Sequence, residues 1–312
     1  MKLLEININS KITLNNGVEM PLFGLGTYAL RGEPGIQAVL WALEIGYRLI
    51  DTASFYDNET EIGKAIKRCD VPREELFITT KVWYTEQGYD NTLKAFNRSL
   101  NRLDIDYVDL YLVHWPVAEL RNQTWKALEE IAREGKARAI GVSNYTIQHL
   151  KELLNISETI PTVNQFETSP FLYQKQLIEY CKNKGIAVEA YSPIRKGLKF
   201  SNKLIQELSK FYNKTPAQIF IRWGLQHQII QIPKSGNKDH LYENANVFDF
   251  ELKSEDMLRL DDINENYRII DDPHLEKKRK EAELAELELK SKLSEKMQKE
   301  LKKQKDELDT KV

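Results

Sequence analysis

Cysteine is almost missing from this sequence: Cys69 and Cys181 are the two examples in 312 residues. Thiols so few and so far apart exclude a disulfide framework and a cysteine-rich zinc site, and no metal site is expected. An apolar run of about 18 residues, the length a membrane-spanning helix requires, is also missing. The N-terminus, MKLLEININS, lacks the charged-then-apolar layout of a secretory signal. A marked excess of either sign of charge is missing as well. The formal net charge is -2, with no long basic block before the C-terminal region, which removes the electrostatic case for nucleic acid. The expectation is a reduced, cytoplasmic, soluble protein whose partner is small.

At 41% hydrophobic, the chain has enough apolar residues for a large core, arranged as one large domain or two medium ones. The opening segment, residues 11–20, predicts a hairpin turning at Asn16-Gly17, a dipeptide that supplies the positive φ angles of a tight turn. Strand-like runs follow at 22–27, 48–51, 76–81, 108–114, 137–143, 162–165, 187–191 and 229–232. Amphipathic stretches lie between them, among them 34–46, 58–68, 89–103, 120–134, 173–184 and 202–212, with apolar residues three and four apart. Strands alternating with helices imply parallel pairing through right-handed crossovers. Eight such units of about 30 residues each fit an α/β fold of the closed (β/α)8 barrel type, a TIM barrel. The rival open sheet usually carries a Gly-rich phosphate loop after its first strand. Here Gly24-Leu25-Gly26-Thr27-Tyr28 has no third glycine in register.

In a barrel, every strand's C-terminal end points to one rim, where barrel enzymes place their chemistry. Asp51 ends the second strand, Lys81 the third and His114 the fourth. Ser143 and Asn144 follow the fifth, Asn164 and Gln165 close the sixth, and Tyr191 ends the seventh. Each has an ordinary reading too. An Asp or Ser at a strand exit caps a turn or helix, a Lys there is solvated, His114 is a satisfied structural histidine, and Tyr56 is a packing aromatic. Such separate explanations become strained when all the groups land on one rim.

The chemistry that uses this set is proton donation to a carbonyl. A free phenol titrates near pH ~10, too high for an effective acid at neutral pH, and an adjacent ammonium favours phenolate. Lys81 is therefore expected to lower the Tyr56 pKa. Asp51 would keep that lysine protonated against desolvation, and His114 can hydrogen-bond and orient a substrate oxygen.

The strings around these residues resemble the aldo-keto reductase family. They include GYRLIDTASFYDNETEIGKAI (46–66), ITTKVW (78–83), DYVDLYLVHWP (106–116), GKARAIGVSN (135–144), VNQFE (163–167), YSP (191–193) and IPKSGNKDHLYENANVFDFEL (232–252). The likeness runs from about residue 11 to about residue 272. It implies that Asp51, Tyr56, Lys81 and His114 form a catalytic tetrad with the phenol as general acid. Ser143, Asn144 and Gln165 would bind a nicotinamide carboxamide, Tyr191 would stack on its ring, and Thr27 would lie near the cofactor.

The same resemblance assigns Lys234 and Ser235 to an adenosine 2′-phosphate and Glu243 and Asn244 to the adenine. His240 stands where many relatives have Arg, so NADPH is the expected cofactor, with NADH accepted at lower preference. Tyr28 stands where many relatives carry Trp, and it joins Trp83 and Trp115 as expected walls of the substrate pocket. Short connections after His114 and Tyr191 resemble those of microbial members, which implies small aldehydes or ketones as substrates. A contender from another class is a cofactor-binding redox-sensing or scaffolding subunit with little turnover.

From Pro273 the composition changes. Residues 274–312 hold no Gly and no aromatic, and Glu/Lys pairs at four-residue spacing predict a charged helix beyond a barrel of residues 1–272. Ala285, Leu289, Leu293, Met297 and Leu301 recur every four positions, a spacing that drifts off a heptad seam. A solvated helix, a helix used for self-association and disorder all remain open for this segment.

Overall fold

The computed structural model describes residues 6–270; the expected C-terminal helix and the boundary at 272/273 lie outside them. The chain opens with an antiparallel hairpin, β1 (Lys11–Thr13) and β2 (Glu19–Pro21). Its turn is where the sequence places it, with Gly17 at φ 85°. Asn15 and Asn16 donate side-chain hydrogen bonds to Pro161 O, just before the strand Val163–Glu167, and to Arg138 O, at the start of the strand Ala137–Ser143. The hairpin thus packs against the N-terminal end of the barrel.

Eight parallel strands come next, each followed by helix. They are β3 (Gly24–Gly26) and α1 (Gly32–Ile45), β4 (Leu49–Asp51) and α2 (Glu59–Arg68), β5 (Phe77–Val82) and α3 (Tyr89–Leu103), and β6 (Val108–Val113) and α4 (Arg121–Arg133). The second half has β7 (Ala137–Ser143) with α5 (Ile147–Leu154) and β8 (Val163–Glu167) with α6 (Lys175–Asn183). It continues through β9 (Ala187–Tyr191) with α7 (Lys203–Tyr212) and α8 (Pro216–Gln226), and β10 (Ile230–Ile232) with α9 (Lys238–Ala245) and α10 (Ser254–Asp262). The strands pair in sequence order from β3 to β10.

Closure between β3 and β10 comes from a parallel bridge, Phe23 to Gln231, with Gln231 N donating to Leu22 O at 2.9 Å and Gly26 N to Pro233 O at 3.3 Å. Gly26 is required there, because a Cβ would stand 2.8 Å from Ile232 O. The ring is the expected (β/α)8 barrel. The first strand is shorter than the expected 22–27, because Leu22 pairs back to Ser10 and Thr27 turns toward β4.

Strand runs such as Val108–Val113 are buried throughout, as covering on both faces demands. Each fully buried Leu, Ile or Val contributes about 1.5–3 kcal/mol of transfer free energy. Helix starts follow local chemistry. Thr146 caps α5 and Thr215 caps α8, each in a reciprocal capping box, and Pro216 begins α8, where its missing N–H costs nothing.

Candidate active site

Two short devices bring the second strand's Asp and the following Tyr together. Asp51 ends β4, and one turn of 3-10 helix, Ser54–Tyr56, carries the phenol back over the strand tip. Ser54 Oγ anchors that turn to Lys81 O (3.1 Å) and Glu86 Oε2 (2.8 Å), and Arg31 holds Tyr56 O at 3.2 Å. Beneath them Asn58 is fully engaged. It accepts from Thr52 Oγ1 and donates to the carbonyls of Thr27 and Leu30, tying the exits of β3 and β4 to the start of α2.

Lys81, on β5 and sealed from solvent, donates to Asp51 Oδ1 at 2.6 Å, Thr52 O at 2.8 Å and the Tyr56 hydroxyl at 3.4 Å. Its three N–H groups are thereby satisfied, which a buried ammonium requires. His114, 7% exposed, stands edge-on to the Tyr56 ring at 5.7 Å and to Trp83 at 4.8 Å. Across the barrel, Gln165 Nε2 donates to Asp51 Oδ2 and to Glu189 Oε2, both at 2.8 Å.

The expectation that Lys81 lowers the Tyr56 pKa is not met. Burial pushes the phenol well above its ordinary value, and the negative charges of Asp51 and Glu189 add to the shift. Tyr56 as a whole is half-buried, but its hydroxyl meets a lysine with no exposure, so burial governs at the titrating atom. The ammonium gives its shorter bonds to Asp51 and Thr52, leaving too little to offset desolvation. Asp51 is also raised by burial, with Lys81 and Gln165 opposing. Glu189 has no cation in direct contact, and burial with the nearby Asp51 raises it to about 8. Of the two carboxyl groups that share Gln165, only Asp51 has a cation in direct contact.

Next to this group, Ser143 and Gln165 face each other in register on β7 and β8. Asn144 adopts φ 62°, a left-handed conformation that Asn tolerates, and donates to His114 O and Ser143 Oγ. The Tyr191 hydroxyl donates to Asn144 Oδ1 at 2.8 Å. The mouth is aromatic. Tyr28 is 53% exposed and edge-on to Tyr56, Phe55 stacks on Trp83 at 3.9 Å, and Trp115 is buried, its carbonyl held by Gln87.

The chain that builds this site has counterparts among known proteins. A model of the aldo/keto reductase family matches residues 23–265. The chain belongs to that family. It is 47% identical over 268 residues to glyoxal reductase of Bacillus subtilis, covering 86% of this chain and 97% of that protein. Among solved structures it is similar to an aldo-keto reductase from a Medee basin deep-sea metagenome library. That likeness has a TM-score of 0.82 at 44% identity, over 84% of this chain and 97% of the other. A Bombyx mori aldo-keto reductase in complex with NADP gives a TM-score of 0.80 at 34% identity, over 85% and 96% of the two chains. The protein is thus an NAD(P)H-dependent carbonyl reductase acting on a small carbonyl substrate.

In this aldo/keto reductase the remaining expected residues fall into a second group after β10. Lys234 is exposed and Ser235 buried in the connecting loop, and His240 is exposed on the first turn of α9. Asn237 caps that helix by accepting from Asp239 N and His240 N. Asn244 is buried, and the Glu243 carboxylate accepts from Thr215 Oγ1 at 2.6 Å. Thr27 donates its hydroxyl to Asp51 O, so it braces the strand tip.

Sequence reasoning missed Glu189, Phe55 and Asn58. Glu189 was legible in principle, since strand alternation puts it on the face of Tyr191, inside the barrel. Phe55 carries no polar signal, and its role as half of an aromatic stack depends on where β5 leads Trp83. Among the described residues no helix is long and apolar enough to cross a membrane.

Proposed function

We propose that this protein reduces small aldehydes or ketones to alcohols with NADPH, Tyr56 giving the proton to the carbonyl oxygen. The observation that carries this reading is Lys81 Nζ placed between Asp51 Oδ1 and the Tyr56 hydroxyl on the floor of an aromatic mouth. Because burial keeps the phenol protonated through the neutral range, Tyr56 holds the proton until negative charge develops on a nearby oxygen. Lys81, held against Asp51, then stabilises the phenolate that remains. His114 orients the substrate oxygen toward the phenol, and Tyr28, Trp83 and Trp115, with Phe55, wall off water.

The donor set fits a nicotinamide. A primary carboxamide needs a donor and an acceptor side by side, and Ser143 Oγ with the Gln165 carbonyl oxygen supplies them, while Tyr191 offers a ring for stacking. When bound, the reduced nicotinamide supplies the hydride. Lys234, Ser235 and His240 would hold the 2′-phosphate, with Asn244 and Glu243 toward the adenine. NADPH is the preferred cofactor, and His240 in place of a guanidinium leaves NADH accepted more weakly. We place the activity in the cytoplasm, in keeping with the free thiols Cys69 and Cys181. The deciding experiment is turnover of NADPH with a panel of aldehydes. Oxidation at ordinary enzymatic rates supports the reductase, and tight binding without turnover supports a sensor.

A further inference from the structure

Glu189 is a carboxyl group in the barrel interior that the reading above does not use. It lies on β9 in register with Gln165 on β8 and Ile230 on β10, and it is fully buried. One oxygen accepts from Gln165 Nε2 at 2.8 Å, while the other, Oε1, is buried without a hydrogen-bond partner. Such an atom is costly to leave unsatisfied, and it sits one layer beneath Tyr191. Two residues along a strand span about 7 Å, so whatever stacks on Tyr191 is within electrostatic reach of Glu189.

The same contacts fix Gln165. Both hydrogens of its amide nitrogen go to carboxylates, Asp51 Oδ2 and Glu189 Oε2, so its carbonyl oxygen is the atom left for a ligand. The reversed amide would bring that oxygen against Asp51 and is disfavoured.

The charged and titratable groups around Glu189 are Asp51 on β4, Lys81 on β5 and Tyr56 after β4, while β10 contributes the apolar Ile230 in register. Lys81 is in direct contact with Asp51 at 2.6 Å. The local balance is two carboxyl groups against one ammonium, and a proton or a second cation must make up the difference. An oxidised nicotinamide ring carries a fixed positive charge and the reduced ring does not.

Resting on the cofactor reading above, we propose that Glu189 is a positioning residue that senses the redox state of the nicotinamide. It orients Gln165, and in its ionised form it is the counter-charge that favours the oxidised ring. Binding of the oxidised cofactor then releases the Glu189 proton to solvent, and binding of the reduced cofactor leaves it in place.

The sign follows from linkage. The free protein keeps the Glu189 proton up to a pH of about 8, so a ligand that prefers the carboxylate binds more tightly as pH rises to that value and levels off above it. The test is the dissociation constant of NADP+ and of NADPH, measured by protein fluorescence from pH 6 to 9. Their ratio cancels every effect of the shared adenosine phosphate end. The expected result is a shift of roughly tenfold toward NADP+ between pH 6 and 8, shrinking below twofold in Glu189→Gln and persisting in Glu189→Asp. Calorimetry of NADP+ binding in two buffers of different ionisation enthalpy should show release of up to about one proton near pH 7 in the parent and none in Glu189→Gln. A flat ratio in the parent, or an equal slope in Glu189→Gln, overturns the assignment and gives the linkage to Asp51, Lys81 or Tyr56. Failure of the parent to bind either nucleotide overturns the cofactor reading itself.

Discussion

Lys81 Nζ lies 2.6 Å from Asp51 Oδ1, and neither side chain reaches solvent. An ion pair so placed is a poor source of stability, because desolvation consumes most of its Coulombic gain. Its value lies in holding a cation under the Tyr56 hydroxyl, where negative charge appears when the phenol gives up its proton.

Replacing Tyr56 by Phe removes the proton and little else. Aldehyde reduction should fall at least ~100-fold, the lower end for a positioned acid. NADPH affinity, read by fluorescence, should stay within a few-fold of the parent. Near-normal turnover would transfer the proton to another group.

The two halves of the buried pair are not equivalent. Lys81→Met leaves Asp51 and Glu189 buried with no cation between them. Asp51→Asn leaves Lys81 able to draw the proton off Glu189 and recover a partner. Both variants should lose activity, and chemical denaturation should show Lys81→Met as the less stable, within the ~3–5 kcal/mol typical of a broken buried pair. The opposite order would mean that Glu189 does not respond to Lys81.

Stability should also depend on pH through Glu189. Its folded pKa, about 8, lies above the ordinary 4.5. The folded state therefore binds more protons between those values, and stability present below pH 4.5 is lost as pH rises through 8. Glu189→Gln removes that loss. Relative to the parent its melting temperature should gain more at pH 8.5 than at pH 5, and an equal difference at both would refute the raised carboxyl.

His240→Arg adds a planar, permanently charged fork on the first turn of α9. The ratio of kcat/KM for NADPH over NADH should rise several-fold, on the order of tenfold for a new charge-assisted phosphate contact. No change in the ratio would assign the phosphate to Lys234 and Ser235 alone.

We further propose that residues 1–272 carry the whole activity. Removal of residues 274–312 should leave melting temperature and aldehyde reduction close to those of the full chain, since that segment offers little apolar material for a core. Insoluble or inactive product would make the segment part of the domain or its pocket.

The sequence was informative where one residue type could do one job. Short apolar runs marked the strands, and apolar residues three and four apart marked the helices. Asp51, Lys81, His114 and Gln165 were legible because a polar group at the end of a buried strand has few reasons to be there. The Tyr56 acidity was misjudged for a quantitative reason. A sequence reports that an ammonium is adjacent, but the competing desolvation depends on how deep the hydroxyl lies and on how many bonds the ammonium already makes. Phe55 and Asn58 were missed because their roles come from neighbours 28 and 31 residues away in the chain, Trp83 for the stack and Thr27 for the brace.

The junction of β3 and β10 has a mechanical meaning. Where β5 and β6 are laced along their length, this joint rests on the Phe23–Gln231 bridge and the bonds at Leu22 and Gly26, so it is the clasp of the hoop. Tyr28 leaves from one side of the clasp, and Lys234 and Ser235 leave from the other. A dinucleotide that reaches from the mouth to the loop after β10 would lie across the joint and fasten it.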